Sequence, residues 1–318
     1  MSNQRNVLSA VLLLPLLTLP VLAGPLKNAQ VPLDAKWVVH GDLQLLRTTK
    51  IRQLVISELM QEGLQQKLDG FKQIFGFDPT VDLKSVTLYG STYGDRQGVA
   101  LIQCDYDRTA LLNLLHLNSA HEEHGYMNHL IHQWEDKHVD FGCFYDDQLI
   151  VIGPSKTMVQ AALDVLDGTS PNLTAGTPLA GLQAIPDGTF FHLAARGFDA
   201  SVTDKPKAAV LKHADQLSFY LGERQERVFA ESFLIAPSVE HADTIYQVLQ
   251  GLIAFGSLAG ENHPILADVV GDIRLGLADD MIECVLEYPS QKVFDFLKIM
   301  HEKKHQKEQS ETPQPAEE

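Results

Sequence analysis

Histidine is concentrated in one short stretch, HEEHGYMNHLIHQW, which runs from His121 to Trp134. Imidazole is the commonest metal-binding side chain, and a zinc site needs three or four ligands that converge on one point. Four histidines of this stretch could supply such ligands: His121, His124, His129 and His132. These residue types predict a zinc site only if the backbone brings their rings together.

The local backbone decides whether the rings can converge. If residues 128–134 form a strand, successive side chains alternate between faces, so that His129 and His132 lie on opposite sides. A helix would instead place these two on one face, at positions i and i+3. The alternating apolar residues favour the strand. His121 and His124 fall in a predicted loop, from which they could approach His129. A solvated edge strand with pH-responsive charge is therefore the favoured interpretation, and a zinc site is the alternative.

Other motifs give weaker indications of chemistry. GPSKT at 153–157 follows a predicted strand but lacks the glycines of a phosphate loop, so Ser155 is predicted to cap a helix. HEEHG does not have the HExxH spacing, and no GxSxG elbow occurs. The aspartate pairs at 146–147 and 279–280 are typical of turns. We therefore predict no catalytic residue and no cofactor other than the alternative zinc ion, and we favour a protein that is not an enzyme.

The first 23 residues have the features of a secretory signal peptide. Arg5 provides a positive start, an apolar run extends over Val7 to Leu22, and Ala23 is a small residue before Gly24. The run is short for a membrane span and contains two prolines, and no later stretch approaches about 20 apolar residues. The sequence thus predicts a secreted or periplasmic protein with no stable membrane insertion after the signal is removed.

The net charge and the number of cysteines argue against two further classes of protein, nucleic-acid-binding proteins and disulfide-rich proteins. A formal net charge of −16 repels phosphate backbones and anionic lipid, so nucleic-acid binding is not expected. Three cysteines, Cys104, Cys143 and Cys284, are too few for a disulfide framework. A bridge between Cys104 and Cys143 stays open, although buried unpaired thiols are favoured.

The elements that would hold the histidines predict an antiparallel-rich sheet with helices packed on it. A helical region is predicted at about 43–75, followed by a hairpin formed by SVTLYGS and GVALIQCDY. A short helix capped by Asp107, three strands and a helix closed by Gly168 complete this first unit.

The order of elements then recurs, which predicts two repeated α+β units. Paired aspartates and a following Pro-Ser occur at matching places, but the histidine stretch has no counterpart in the second unit. The predicted organisation is a signal peptide (1–23), a first unit (26–168), a linker (169–181), a second unit (182–302) and a disordered tail (303–318).

Two phrases, P-x-D-A-K-W-V-V-H-G-D from Pro32 and FGFDPTVDLKSVTLYG from Phe75, resemble a group of uncharacterised secreted bacterial proteins of the planctomycete type, with a domain of unknown function. The resemblance covers about residues 31–170 most clearly and the second unit more loosely. It implies an envelope or periplasmic setting, and it implies no catalytic residue.

These observations together favour a secreted or periplasmic non-enzymatic binding or scaffold protein of the cell envelope. Its expected partner is an envelope protein or a peptide, held at a strand edge or in a cleft. The alternative is a histidine-assisted metal-binding protein or metal-dependent hydrolase, with His121, His124, His129 and His132 at the metal.

Overall fold

The fold is α+β, as predicted from the sequence. The computed structural model describes residues 24–176, 179–203, 206–259 and 264–311. The predicted signal peptide (1–23) lies outside the described residues. The strands are β1 (Trp37–Asp42), β2 (Leu83–Gly90), β3 (Val99–Cys104), β4 (Glu122–Tyr126), β5 (His129–Glu135), β6 (Val139–Phe144), β7 (Leu149–Gly153), β8 (Thr189–Arg196), β9 (Gln216–Arg224), β10 (Arg227–Ile235), β11 (Arg274–Ala278) and β12 (Met281–Pro289).

Helices occupy several of the connections between these strands, and a further helix follows the last strand. They are α1 (Leu43–Arg47), α2 (Lys50–Gln61), α3 (Leu64–Phe75), α4 (Arg108–Leu117), α5 (Lys156–Leu166), α6 (Ala200–Thr203), α7 (Val239–Ala259), α8 (Pro264–Gly271) and α9 (Ser290–Glu311). None of the helices in the described part of the chain combines the length and the apolar composition that crossing a bilayer requires.

The strands form one twelve-stranded antiparallel sheet, in the order β11-β12-β10-β9-β8-β1-β2-β3-β7-β6-β5-β4. The two predicted units are therefore joined edge to edge through β1 and β8, where His40 lies opposite His192. Outward from this junction the order is β1-β2-β3-β7-β6 on one side and β8-β9-β10-β12-β11 on the other. This matching order is consistent with the predicted duplication, which stays a prediction. The β4–β5 hairpin is an extra element of the first half.

Local signals account for many of the element boundaries. The predicted helical region at 43–75 is divided into α1, α2 and α3, because Thr49 caps α2 and Gly63 adopts a left-handed conformation before α3. Asp107 caps α4 by accepting hydrogen bonds from two backbone N–H groups, and Ser155 caps α5. These two predicted caps are present.

The predicted linker (169–181) does not behave as a free connection. Leu173 and Leu179 are both buried in the core of the first half, and Asn172 bridges to Pro32. Beyond residues 177 and 178, which lie outside the described residues, Gly181 accepts a hydrogen bond from the Tyr220 hydroxyl at 2.7 Å. The composition of this segment is typical of a loop. Because burying its leucine side chains is favourable, the segment nevertheless packs against both halves.

The predicted disordered tail (303–318) is helical in its first part, because α9 continues to Glu311. Glutamate, lysine and glutamine are strong helix formers, so a helix that begins in the apolar segment before them can continue through a polar one. The rest of the tail, 312–318, lies outside the described residues.

Candidate functional site

The histidine-rich stretch forms a hairpin at the end of the sheet. β4 pairs with β5, and the turn between them contains Met127 with a φ of 51°. β5 pairs in turn with β6, which leaves β4 as the terminal strand. The segment containing His124 was predicted as a loop, and this prediction is wrong, because the two-residue turn lets its backbone pair with β5 along its whole length.

Four side chains meet where the end of α4 approaches this hairpin. We call His116, His121, Glu123 and His132 the histidine cluster. Nε2 of His121 lies 3.1 Å from Nδ1 of His132, and Oε1 of Glu123 lies 3.7 Å from the same Nδ1 and 3.8 Å from Nε2 of His116. The potential ligand atoms of His116, His121 and Glu123 all lie within 4.8 Å of one another. Three such atoms are enough for a metal site with an open position.

His132 is the buried member of the histidine cluster, with only 1% of its surface exposed. Burial lowers its pKa, since the protein interior disfavours the charged form, and the nearby Glu123 carboxylate opposes this shift. The ring is therefore neutral at physiological pH, and one of its nitrogens can accept a hydrogen bond.

The other two predicted ligands lie on the opposite face of the sheet. His124 Nε2 is 3.1 Å from the Gln133 side-chain oxygen, and His129 Nε2 is 2.8 Å from Asp167 Oδ2 at the end of α5. The alternation predicted for β5 is present, so His129 and His132 cannot bind one ion. The structure therefore brings together His121 and His132 of the predicted set and leaves His124 and His129 apart from them.

Two members of the histidine cluster, His116 and Glu123, were missed as ligands from the sequence. His116 is near the end of α4, and Asn118 starts the turn that returns the chain to β4, since its side chain accepts a hydrogen bond from the Ala120 N–H. Because a strand begins within five residues of the end of the helix, the sequence could have predicted that His116 lies close to the start of that strand. The strand pairing that places Glu123 opposite His132 was not foreseen.

A further zinc motif was also overlooked in the sequence. HEKKH at 301–305 matches HExxH and spans the boundary between the predicted second unit (182–302) and the predicted tail (303–318). In the structure this segment belongs to α9, where the spacing i, i+4 is one helical turn. The side chains after His301 lie outside the described residues, so no site is built on this motif.

An apolar cavity of about 360 Å³ adjoins the histidine cluster. It lies between α4 and the face of the sheet that carries His132. Its walls include Leu111, Leu114 and Leu115 of α4 and Ile102, Ile150 and Ile152 of the strands. His132 and Asn118 are polar residues in this lining, and His132 thereby belongs to both the cavity and the histidine cluster. A cavity of this size and character is typical of a small-molecule site.

Cys104, on the cavity face of the sheet, and Cys143, which packs in the core on the opposite face, are both free thiols. Burial raises the pKa of Cys104 to about 12 and that of Cys143 to about 11, since the thiolate is poorly solvated there. Neither thiol is ionised at neutral pH, so neither is prepared to act as a nucleophile or a thiolate ligand.

No family model and no curated protein matches this chain. Among solved structures, it is similar to the treponemal protein TP0453 in crystal form III, with 8% sequence identity, a TM-score of 0.47 and coverage of 85% of this chain and 97% of that one. Crystal form I of TP0453 matches with 11% identity, the same TM-score and coverage of 86% and 97%. Similarity of this degree assigns no family, ligand or activity to the chain.

Proposed function

We propose that this protein is a secreted or periplasmic, non-enzymatic binding protein of the cell envelope, which holds a small and largely apolar molecule in the cavity beneath α4. The cavity is the observation that carries the proposal. The envelope setting rests on the predicted signal peptide and on the resemblance described from the sequence.

The lining of the cavity defines the class of ligand. Its isoleucine and leucine side chains favour a ring system or a short branched chain, since burying apolar area is favourable by about 25 cal/mol per Å². Nδ1 of His132 faces His121, while Nε2 has no hydrogen-bond partner among the described residues. A ligand with one hydroxyl, amine or carbonyl group would satisfy this nitrogen.

The packing of α4 supports entry of a ligand. No residue of this helix is fully buried, although leucine occurs at five of its ten positions. Leu117 is 82% exposed, and the cavity-lining leucines are half-buried. A helix with few buried contacts moves away from the sheet at a low free-energy cost, and such movement would ease the entry of a ligand into this partly open cavity.

The test is binding of 1-aminoanthracene, a fluorescent ring system with one amine. We expect a saturable increase in its fluorescence with one site per chain. Leu114→Trp should weaken this binding by about tenfold or more, because the indole occupies the cavity. Leu117→Trp, on the exposed side of the same helix, is the matched control and should bind as the parent does. Equal binding by the two variants, with both folded by circular dichroism, would exclude the cavity as the site.

Metal binding is a second candidate, favoured by the convergence of His116, His121 and Glu123. Two imidazoles and a carboxylate are ligands that zinc accepts. If His121 bound zinc through Nδ1, its Nε2–H would donate to His132, an arrangement that orients metal-bound histidines in many proteins. Three protein ligands leave a position for water, so metal-dependent hydrolysis belongs to this second candidate.

Zinc titration of the untagged protein tests this second candidate. His301 and His305 are first replaced by alanine, so that HEKKH cannot contribute. In this background we expect His121→Ala to weaken zinc binding by about tenfold or more. His124→Ala, which removes a histidine from the other face of the same hairpin, is the matched control and should change nothing. Absence of stoichiometric zinc binding, or an equal loss in both variants, would reject the candidate.

A further inference from the structure

The predicted cleavage point lies next to a well-defined contact in the fold. Gly24 would be the first residue after removal of residues 1–23. Its backbone N–H lies 3.2 Å from Oδ1 of Asp42, and its carbonyl oxygen lies 2.8 Å from Nε2 of His40. Because a carbonyl oxygen only accepts, Nε2 of His40 carries the proton in this bond. Both partners of Gly24 belong to β1.

The space around Gly24 admits no larger residue. A Cβ atom at this position would lie 2.9 Å from Cβ of Ser85 and 3.1 Å from the carbonyl oxygen of Lys84. Both contacts are tighter than van der Waals packing allows. The chain thus enters the fold at a half-buried residue whose backbone contacts β1 and β2.

The carboxylate that Gly24 contacts has an unusual environment. Asp42 is only 5% exposed, and its Oδ1 also caps α1 by accepting a hydrogen bond from the Leu45 N–H at 2.8 Å. Among the direct ion pairs of the described residues, none involves Asp42, although the Arg47 guanidinium interacts with its charge from a greater distance. A buried carboxylate without a direct cationic partner is costly, and an adjacent positive charge stabilises it.

We propose that cleavage between Ala23 and Gly24 supplies this charge, so that the new α-ammonium group of Gly24 pairs with Asp42 and completes the fold. In this step an endopeptidase that removes signal peptides adds water to the peptide bond. The oxygen joins the Ala23 carbonyl carbon, the C–N bond breaks, and the nitrogen of Gly24 leaves with a proton and is protonated again at neutral pH. An amide that donates one hydrogen bond becomes a cation that donates up to three.

The consequence is that maturation stabilises the protein. The ion pair would tie the N-terminus to Asp42 at the start of α1 and to His40, which lies at the junction of the two halves. This proposal rests on the predicted signal peptide and is independent of any ligand or zinc.

The first test is the N-terminus and its reactivity. The protein is secreted with its own leader, and intact mass should place the first residue at Gly24. Amine acylation at pH 7 should modify the α-amino group at least about tenfold more slowly in the native protein than in urea, because the group is held by Asp42. A different first residue, or equal rates of acylation, would overturn the proposal.

The second test compares two otherwise identical mature chains, one beginning at Gly24 and the other at Ala23. We expect the melting temperature of the chain beginning at Gly24 to be higher by about 2 °C or more. In Asp42→Asn this difference should disappear, whereas Asp107→Asn, which removes the charge of the residue that caps the distant helix α4 but keeps a side-chain oxygen for the cap, should preserve it. Equal melting temperatures of the two parent chains, or a difference that persists in Asp42→Asn, would reject the ion pair.

Discussion

At the scale of single residues, the most unusual feature of this protein is a pair of buried histidines at the junction of its two halves. His40 and His192 face each other across β1 and β8, with ring centroids 5.1 Å apart. Both ring nitrogens of His40 form hydrogen bonds, one with the Thr87 hydroxyl and one with the Gly24 carbonyl oxygen. Nε2 of His192, in contrast, is buried without a hydrogen-bond partner among the described residues. Burial lowers the pKa of His192 to about 3, and it lowers that of His40 as well. Both rings are neutral in the folded protein at neutral pH.

These lowered pKa values predict a loss of stability in acid. Below pH 6.5 the unfolded chain binds a proton at each of these histidines that the folded chain does not, so the free energy of unfolding falls as the pH falls from about 6.5 towards 3. Each histidine contributes a slope of up to about 1.4 kcal/mol per pH unit. His192→Phe should remove one such contribution, measured by urea unfolding between pH 7 and 4.

A surface histidine provides the control for this measurement. His138 is exposed, and His138→Phe should leave the pH dependence as it is in the parent protein. If His192→Phe shows the same pH dependence as the parent, the buried ring does not control acid stability.

At the scale of elements, the connection from α4 to the β4–β5 hairpin creates the candidate site. The hairpin alone separates its histidines between two faces, and α4 alone carries only His116. Their apposition brings His116 to Glu123 and His121 to His132, while it also encloses the cavity. The histidine cluster is therefore a property of two elements, and neither is sufficient.

One helix leaves an apolar surface uncovered. On α7, Leu252, Phe255 and Leu258 are each more than 60% exposed and recur at helical spacing. A contiguous apolar stripe on an otherwise acidic protein is typical of a surface that a protein partner contacts.

At the scale of the whole molecule, the two halves share one sheet and also a polar junction. The Glu223 carboxylate on β9 accepts hydrogen bonds from the N–H groups of Lys50 and Ile51 at 2.5 and 2.8 Å, which caps α2 from the other half. It also accepts one from the buried hydroxyl of Ser290 at the start of α9, at 2.8 Å. A single side chain thus connects three elements from both halves.

We expect the two halves to unfold together. Calorimetry should show one transition, and Glu223→Ala should shift it down as a whole by an amount equivalent to about 1–3 kcal/mol, since the N–H groups of Lys50 and Ile51 and the Ser290 hydroxyl lose their acceptor while Thr49 still caps α2. Asp187→Ala, at an exposed position in the same half, should have little effect. Two separate transitions, with only one affected by Glu223→Ala, would show that the halves are independent units.

Local patterns were sufficient to predict much of this fold. The class α+β, the β2–β3 hairpin, the caps Asp107 and Ser155, and the opposite orientation of His129 and His132 all follow from alternation, turn chemistry and capping. Each depends on residues close in sequence, where the backbone geometry leaves few choices.

What the sequence by itself determined is therefore the fold class, many of the elements and, for β5, the side of the strand on which each histidine lies; β4 and the extension of α9 to Glu311 were not among them. The tertiary structure alone decided that the halves form one sheet, that the predicted linker is buried, and that His116 and Glu123 replace His124 and His129 beside His121. It also decided that Gly24 meets Asp42. These contacts join segments that are far apart in the chain or are set by the pairing of strands. They depend on how apolar faces pack against each other, and a local sequence pattern does not contain that information.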